Sequence, residues 1–297
     1  MRTHAQTGAT LLVFLTVLIM GAGALLLSKL ERSTFVVERQ RHTSEVLERA
    51  KEALIGYAVS YFERQGGPLP DRLDTFLLPC PDSDAAGTQA DEGQADDCSI
   101  SGAGVSALGR LPWKTLGLPP LVDGSGECLW YAVSGYHKEI NDNKPNDQAP
   151  GLFSVYTQIS TLNERLVTDD VVAVIIAPDR PIDQQDRSLA ATHLNACGGN
   201  YMHTHYLEGE NQNFLTTKDI ENKFIQALDA GTTSINDRIV YITREELVGA
   251  VRLRRDYQEK IQDFTRLAAM CIAKFSYDAA VNAGFTIPSG ELKLPWP

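Results

Sequence analysis

The run from Ala9 to Leu27 constrains this chain more than any other feature. It holds no charged residue, and it is just long enough for a helix to cross the hydrocarbon core of a bilayer. Arg2 and the terminal amine precede it. That asymmetry keeps the N-terminus cytoplasmic and puts everything after about residue 30 on the far side. Three processing routes fit the start of the chain. A cleaved secretory signal ends in small residues, and Ala22-Gly23-Ala24 offers such a cut, although Leu25-Leu26-Leu27 is then an odd mature start. A plain signal anchor accounts for the span and nothing more. The third route cuts a short polar leader after Gly8, ahead of the apolar helix, and keeps that helix.

The next segment favours the third route. Residues 35–62 read as an amphipathic helix. Val46, Leu47, Ala50, Leu54, Tyr57, Ala58 and Tyr61 recur at helical spacing, with Glu45, Glu48, Arg49, Lys51 and Glu52 between them. No proline occurs before Pro68. The span and the stripe therefore read as one rod, roughly 80 Å long at 1.5 Å per residue. Gly66-Gly67-Pro68 ends it. The competing reading is a membrane anchor followed by an unrelated core helix.

With the Gly8 leader and its apolar helix, the chain resembles the type IV pilin and type II secretion pseudopilin superfamily. The likeness continues in Ala50-Lys51-Glu52-Ala53-Leu54-Ile55-Gly56-Tyr57-Ala58 and Leu78-Pro79-Cys80-Pro81-Asp82. It extends through Gly109-Arg110-Leu111-Pro112-Trp113, Leu129-Trp130-Tyr131-Ala132-Val133, Val174-Ile175-Ile176-Ala177-Pro178 and Asn236-Asp237-Arg238-Ile239-Val240-Tyr241. The resemblance implies a prepilin peptidase that cuts after Gly8 and methylates the new amine of Ala9. It also implies membrane lipid and other pilin or pseudopilin subunits as partners, and an inner-membrane protein with a periplasmic or extracellular head. Such subunits usually carry a Glu five residues after the cut. Here that place holds Val13. A carboxylate in lipid is costly unless paired, so its absence resembles a minor or tip subunit, which has no predecessor to pair with.

The expected fold class is α+β: a long N-terminal transmembrane and amphipathic helix on a small antiparallel sheet, with an enlarged head and a long C-terminal helix. The expected division is 1–8 leader, 9–28 transmembrane helix, 29–65 its amphipathic continuation, and 66–297 head. Residues 129–133, 152–159, 171–177 and 238–242 read as strands. Phe214 to Leu228 reads as a helix. Thr243-Arg244-Glu245-Glu246 is a capping box that opens a helix to about residue 283, with a break allowed inside it and Cys271 buried as a free thiol.

Residues 71–97 hold eight acids against one Arg, about −7 of a total formal charge of −11. Crowded carboxylates favour a hard cation, and Asp82, Asp84, Asp91 and Glu92 form a loose Ca2+ pattern; the competing reading is a solvated acidic loop. Cys80 and Cys98 flank this loop and are expected to pair in an oxidising compartment. Cys128 and Cys197 are the candidates for a second bridge. Cys197, His203 and His205 make a thin zinc set, with ordinary surface histidines as its rival. The acidic balance argues against nucleic acid. No nucleophile elbow, phosphate loop or zinc-protease motif occurs, so no catalytic residue is named. A signal-anchored periplasmic binding or hydrolytic domain is the alternative function.

Overall fold

A computed structural model describes residues 6–61, 64, 76–83, 91–140, 147–160, 163–182, 185–188, 196–226, 235–253 and 255–282. Two compact units divide the chain, Met1–Leu247 and Val248–Pro297.

The first helix, α1, runs without a break from Gln6–Val59, 54 residues. The expected stripe faces inward: Val46, Leu47, Ala50, Leu54 and Ala58 are buried, with Thr43 among them. Alanine and leucine at three- and four-residue steps give a smooth ridge that lies closely on a sheet. The helix packs on two strands, β4 and β6 of the sheet defined next.

That sheet has six strands: β1 (Ala107–Arg110), β2 (Trp130–Val133), β3 (Phe153–Ser160), β4 (Asn163–Ala177), β5 (Asn222–Gln226) and β6 (Arg238–Thr243). The order is β1-β2-β4-β3-β5, with β6 also on β4. β4 is the spine. Its first half pairs with β3, from Ser160↔Asn163 to Phe153↔Val171. Its second half takes β2 and β6, with Tyr131 and Val240 both opposite Ile175. Val171 to Ala177 are all buried, which explains a continuous β-branched run where a half-exposed strand would alternate. One face holds Trp130, Ala132, Phe153, Val155, Val174, Ile176, Tyr206, Leu207 and Phe224. The Phe153 and Phe224 rings meet edge to face at 5.3 Å. By alternation, Tyr131, Ala173 and Ile175 turn to the opposite face.

Several expectations need correcting. The sheet is mixed, not antiparallel, because β5 runs parallel to β3. The helix expected over Phe214 to Leu228 is instead a loop followed by β5. There Asn222 is buried and its side chain both accepts from Leu215 N–H (2.6 Å) and donates to its carbonyl (3.1 Å). Those two bonds hold the approach to the strand in an extended path that a helix cannot take. Among the described residues no helix is long and apolar enough to cross a membrane. This overturns the transmembrane helix expected over 9–28.

The Thr243 half of the capping box is present: Thr243 Oγ1 accepts from Glu246 N–H at 3.2 Å, and the Glu246 carboxylate pairs with Lys51. It opens α2, Arg244–Arg252, and a second helix, α3, follows over Arg255–Asn282. The single long helix is thus two. Cys271 is free and exposed, not buried. His203 to His205 is a turn of 3-10 helix.

Candidate functional site

The chain's most unusual surface is the arm of α1. Leu11 to Met20 carry apolar side chains that stand 54–76% exposed, and Phe35 (71%) and Val37 (62%) continue them toward the head. Gly8 and Ala9 lie within this helix. Scattered exposed apolar residues need no explanation, but a contiguous row of this size marks a contact surface.

The head grips the helix where the arm ends. A tight loop, Asp123 to Cys128, is organised by the Asp123 carboxylate, which accepts from the N–H groups of Ser125 (2.7 Å), Glu127 (3.0 Å) and Asp179 (2.8 Å). Burial pushes the Asp123 carboxyl up, and those three donors oppose the shift. The loop presses on α1 so closely that a Cβ on Gly124 would stand 2.4 Å from the Arg39 carbonyl. Gly124 N–H donates to Thr43 Oγ1 at 2.9 Å, and Arg238 donates to the Gln40 carbonyl at 3.2 Å. Lower on the helix, Lys51 pairs with Glu246 at 2.8 Å. The Tyr57 hydroxyl donates to Glu139, and the Arg64 guanidinium stacks 3.2 Å over the Tyr57 ring. Burial first, then the Glu139 contact, pushes the Tyr57 hydroxyl well above its ordinary range.

Both expected disulfides are present. Cys80–Cys98 closes the acidic loop and Cys128–Cys197 joins the gripping loop to a distant segment, with Cα atoms 6.0 and 5.4 Å apart. Of the four Ca2+ candidates the structure describes Asp82, Asp91 and Glu92. Asp82 is buried, and its Oδ2 accepts from Gly93 N–H (2.6 Å) and the Tyr201 hydroxyl (3.2 Å). Glu92 is buried and takes the N–H groups of Ala196 (3.1 Å) and Cys197 (2.8 Å). Asp91 is half-buried in the turn, and Asp84 lies outside the described residues. Asp82 and Glu92 thus brace the turn at Gly93 and the segment that carries Cys197. Among the described residues no group of three or more His, Cys, Asp or Glu side chains is set to hold a metal. Cys197 is committed to its disulfide and His203 Nε2 lies 3.1 Å from the Gln212 carbonyl, which dissolves the zinc set.

Three polar groups are buried where no local sequence pattern marks burial. Arg110 is 1% exposed; its guanidinium donates to the Gly198 (3.1 Å) and Asn200 (2.8 Å) carbonyls and lies within about 6 Å of the Trp130, Tyr201 and Tyr206 rings. Asp237 is fully buried; its Oδ2 accepts from Glu208 N–H (3.1 Å) and Asn211 Nδ2 (2.8 Å). Burial, then the neighbouring Glu208 carboxylate, holds Asp237 well above the carboxyl range, and burial raises Glu208 too. His137 is fully buried, and neither ring nitrogen has a hydrogen-bond partner. Burial lowers it to about 4, with Asp170 opposing and Arg244 reinforcing the shift. A lone Arg, Asp or His carries no signal of such partners, which lie up to 90 residues away.

Comparison with known proteins returns nothing: no family model, no curated protein and no solved structure matches this chain.

Proposed function

We propose that this chain is a pilin-like structural subunit of a type IV pilus or type II secretion-like machine, a minor one, whose work is contact and assembly. One observation carries the reading. A single 54-residue helix is buried in a head along its second half and offers open apolar side chains from Leu11 to Met20. Such a helix lowers its free energy when lipid or other apolar helices cover it. In this reading the arm packs against the helices of neighbouring subunits. Val13, where a pairing carboxylate would otherwise stand, suits a subunit at the end of the series. The two disulfides support a head that matures in an oxidising, extracytoplasmic compartment.

Intact mass measurement on the mature protein tests this. The expected product begins at Ala9 with a methylated amine, and cells lacking a prepilin peptidase keep Met1 to Gly8. A product beginning at Met1 in peptidase-positive cells, or one cut after Ala24, refutes the reading. Gly8→Leu blocks the cut, because a bulky side chain replaces the small residue ahead of the cleaved bond.

A further inference from the structure

The helix α3, considered by itself, presents a second open apolar face. Ile261 is 40% exposed, Leu267 54%, Ile272 67% and Phe275 76%, and Cys271 is exposed with them. Ile261, Ala268 and Phe275 stand seven residues apart, and Cys271 lies three beyond Ala268 and four before Phe275. That three-four rhythm is the seam of a helix that packs lengthwise on another helix. Its centre is small, Ala268 and Cys271, so two backbones can approach closely there.

The charges along one flank select the occupant. Asp263 and Lys274 are eleven residues apart, three turns, and so lie within about 20° of one line on the helix. An antiparallel copy of the same helix, centred near residue 269, sets Asp263 against Lys274 at both ends of the pair. A parallel copy sets like against like. Asp263 has a local partner in Arg266 at 3.7 Å, but both side chains are 72% exposed, so that pair is worth little and is readily exchanged. We propose that α3 pairs antiparallel with the α3 of a second copy of this chain, Ala268 of each meeting Cys271 of the other. The seam buries on the order of 1,000 Å² in total, the lower edge of a specific interface. It also covers Cys271, which keeps an otherwise open thiol from reacting while the other four cysteines are bridged.

The test uses the full-length chain in a mild detergent that covers α1. Diamide takes the hydrogens of two thiols, forming one disulfide while it is reduced to its hydrazine. Ala268→Cys, with native Cys271, is expected to give at least ten times more covalent dimer than the parent chain. That dimer disappears in Ala268→Cys with Cys271→Ser. Phe275→Asp is expected to turn a sedimenting dimer into a monomer with unchanged circular dichroism. Three results overturn the proposal: a parent chain that cross-links as well as Ala268→Cys, which means parallel pairing; a parent chain that is monomeric at tens of micromolar; and a dimer that survives Phe275→Asp, which means another surface joins the copies.

Discussion

Lowering the pH should loosen the head through His137. The ring is fully buried without a partner on either nitrogen, and its folded value is about 4 against 6.5 in an exposed state. The sign follows from proton counting: between those values the unfolded chain binds a proton that the folded chain refuses, so stability falls as pH falls. From pH 7.5 to 4.5 the loss from this one ring is about 2.5 kcal/mol. In a unit of this size that is about 5–10 °C in melting temperature. The measurement is thermal unfolding followed by circular dichroism over pH 4.5–7.5, in parallel for the parent chain and His137→Leu. Leucine orphans no hydrogen bond here and cannot titrate, so the variant should melt at least as high as the parent at pH 7.5 and lose about 2.5 kcal/mol less on acidification. The difference between the two curves isolates His137 from the carboxyls that titrate in the same range. Parallel curves would refute the reasoning, because the ring would then be taking up its proton inside the fold, with the Asp170 charge outweighing burial and Arg244.

The opposite slope is expected from Asp237. Its raised folded value stabilises the head fully below pH 4 and gives that stability up as pH rises through the folded value. Asp237→Asn, which keeps an oxygen for Glu208 N–H and Asn211, should flatten the alkaline limb of the melting curve; an unchanged limb counts against a raised Asp237 carboxyl. Cys128→Ser with Cys197→Ser opens a 69-residue loop and should cost about 4 kcal/mol in denaturant unfolding on the chain-entropy account; a loss below 1 kcal/mol would place the constraint elsewhere. Leu54→Ala removes a fully buried leucine from the seat of α1 and should cost about 2–5 kcal/mol, read as faster proteolysis between helix and head. No change would mean that α1 is not seated through this face.

The parts of this fold that were legible in the sequence are those whose signal is local. The stripe from Val46 to Ala58 announces the buried face of α1, and the run from Val171 to Ala177 announces the inner half of the spine. The first eight residues of β4 carry mostly exposed side chains and owe their extension to β3, so nothing in their composition reveals them. β5 was hidden for a related reason. It is five residues long, and Asn211 and Asn222 hold its backbone through bonds whose partners lie up to fourteen positions away. The cysteine pairs were readable because Cys80 and Cys98 bracket one loop. The use made of Asp82 and Glu92 was not: a carboxylate that braces a turn and one that waits for a cation have the same letter. Cys271 was misplaced because an apolar stripe on a helix says that something covers it, but not that the cover belongs to the same molecule.

The grip on α1 has a mechanical consequence. A pull along the arm first meets the head at residues 39–43, where Gly124 lies against the Arg39 carbonyl and bonds Thr43. Four residues beyond Gly124 the strain reaches Cys128 and passes through a covalent bond to Cys197, while Arg238, bonded to Gln40, hands the rest to a strand lying along the spine. Tension therefore enters the head through a cross-linked collar and spreads across the sheet broadside, so the helix does not peel away turn by turn from its free end.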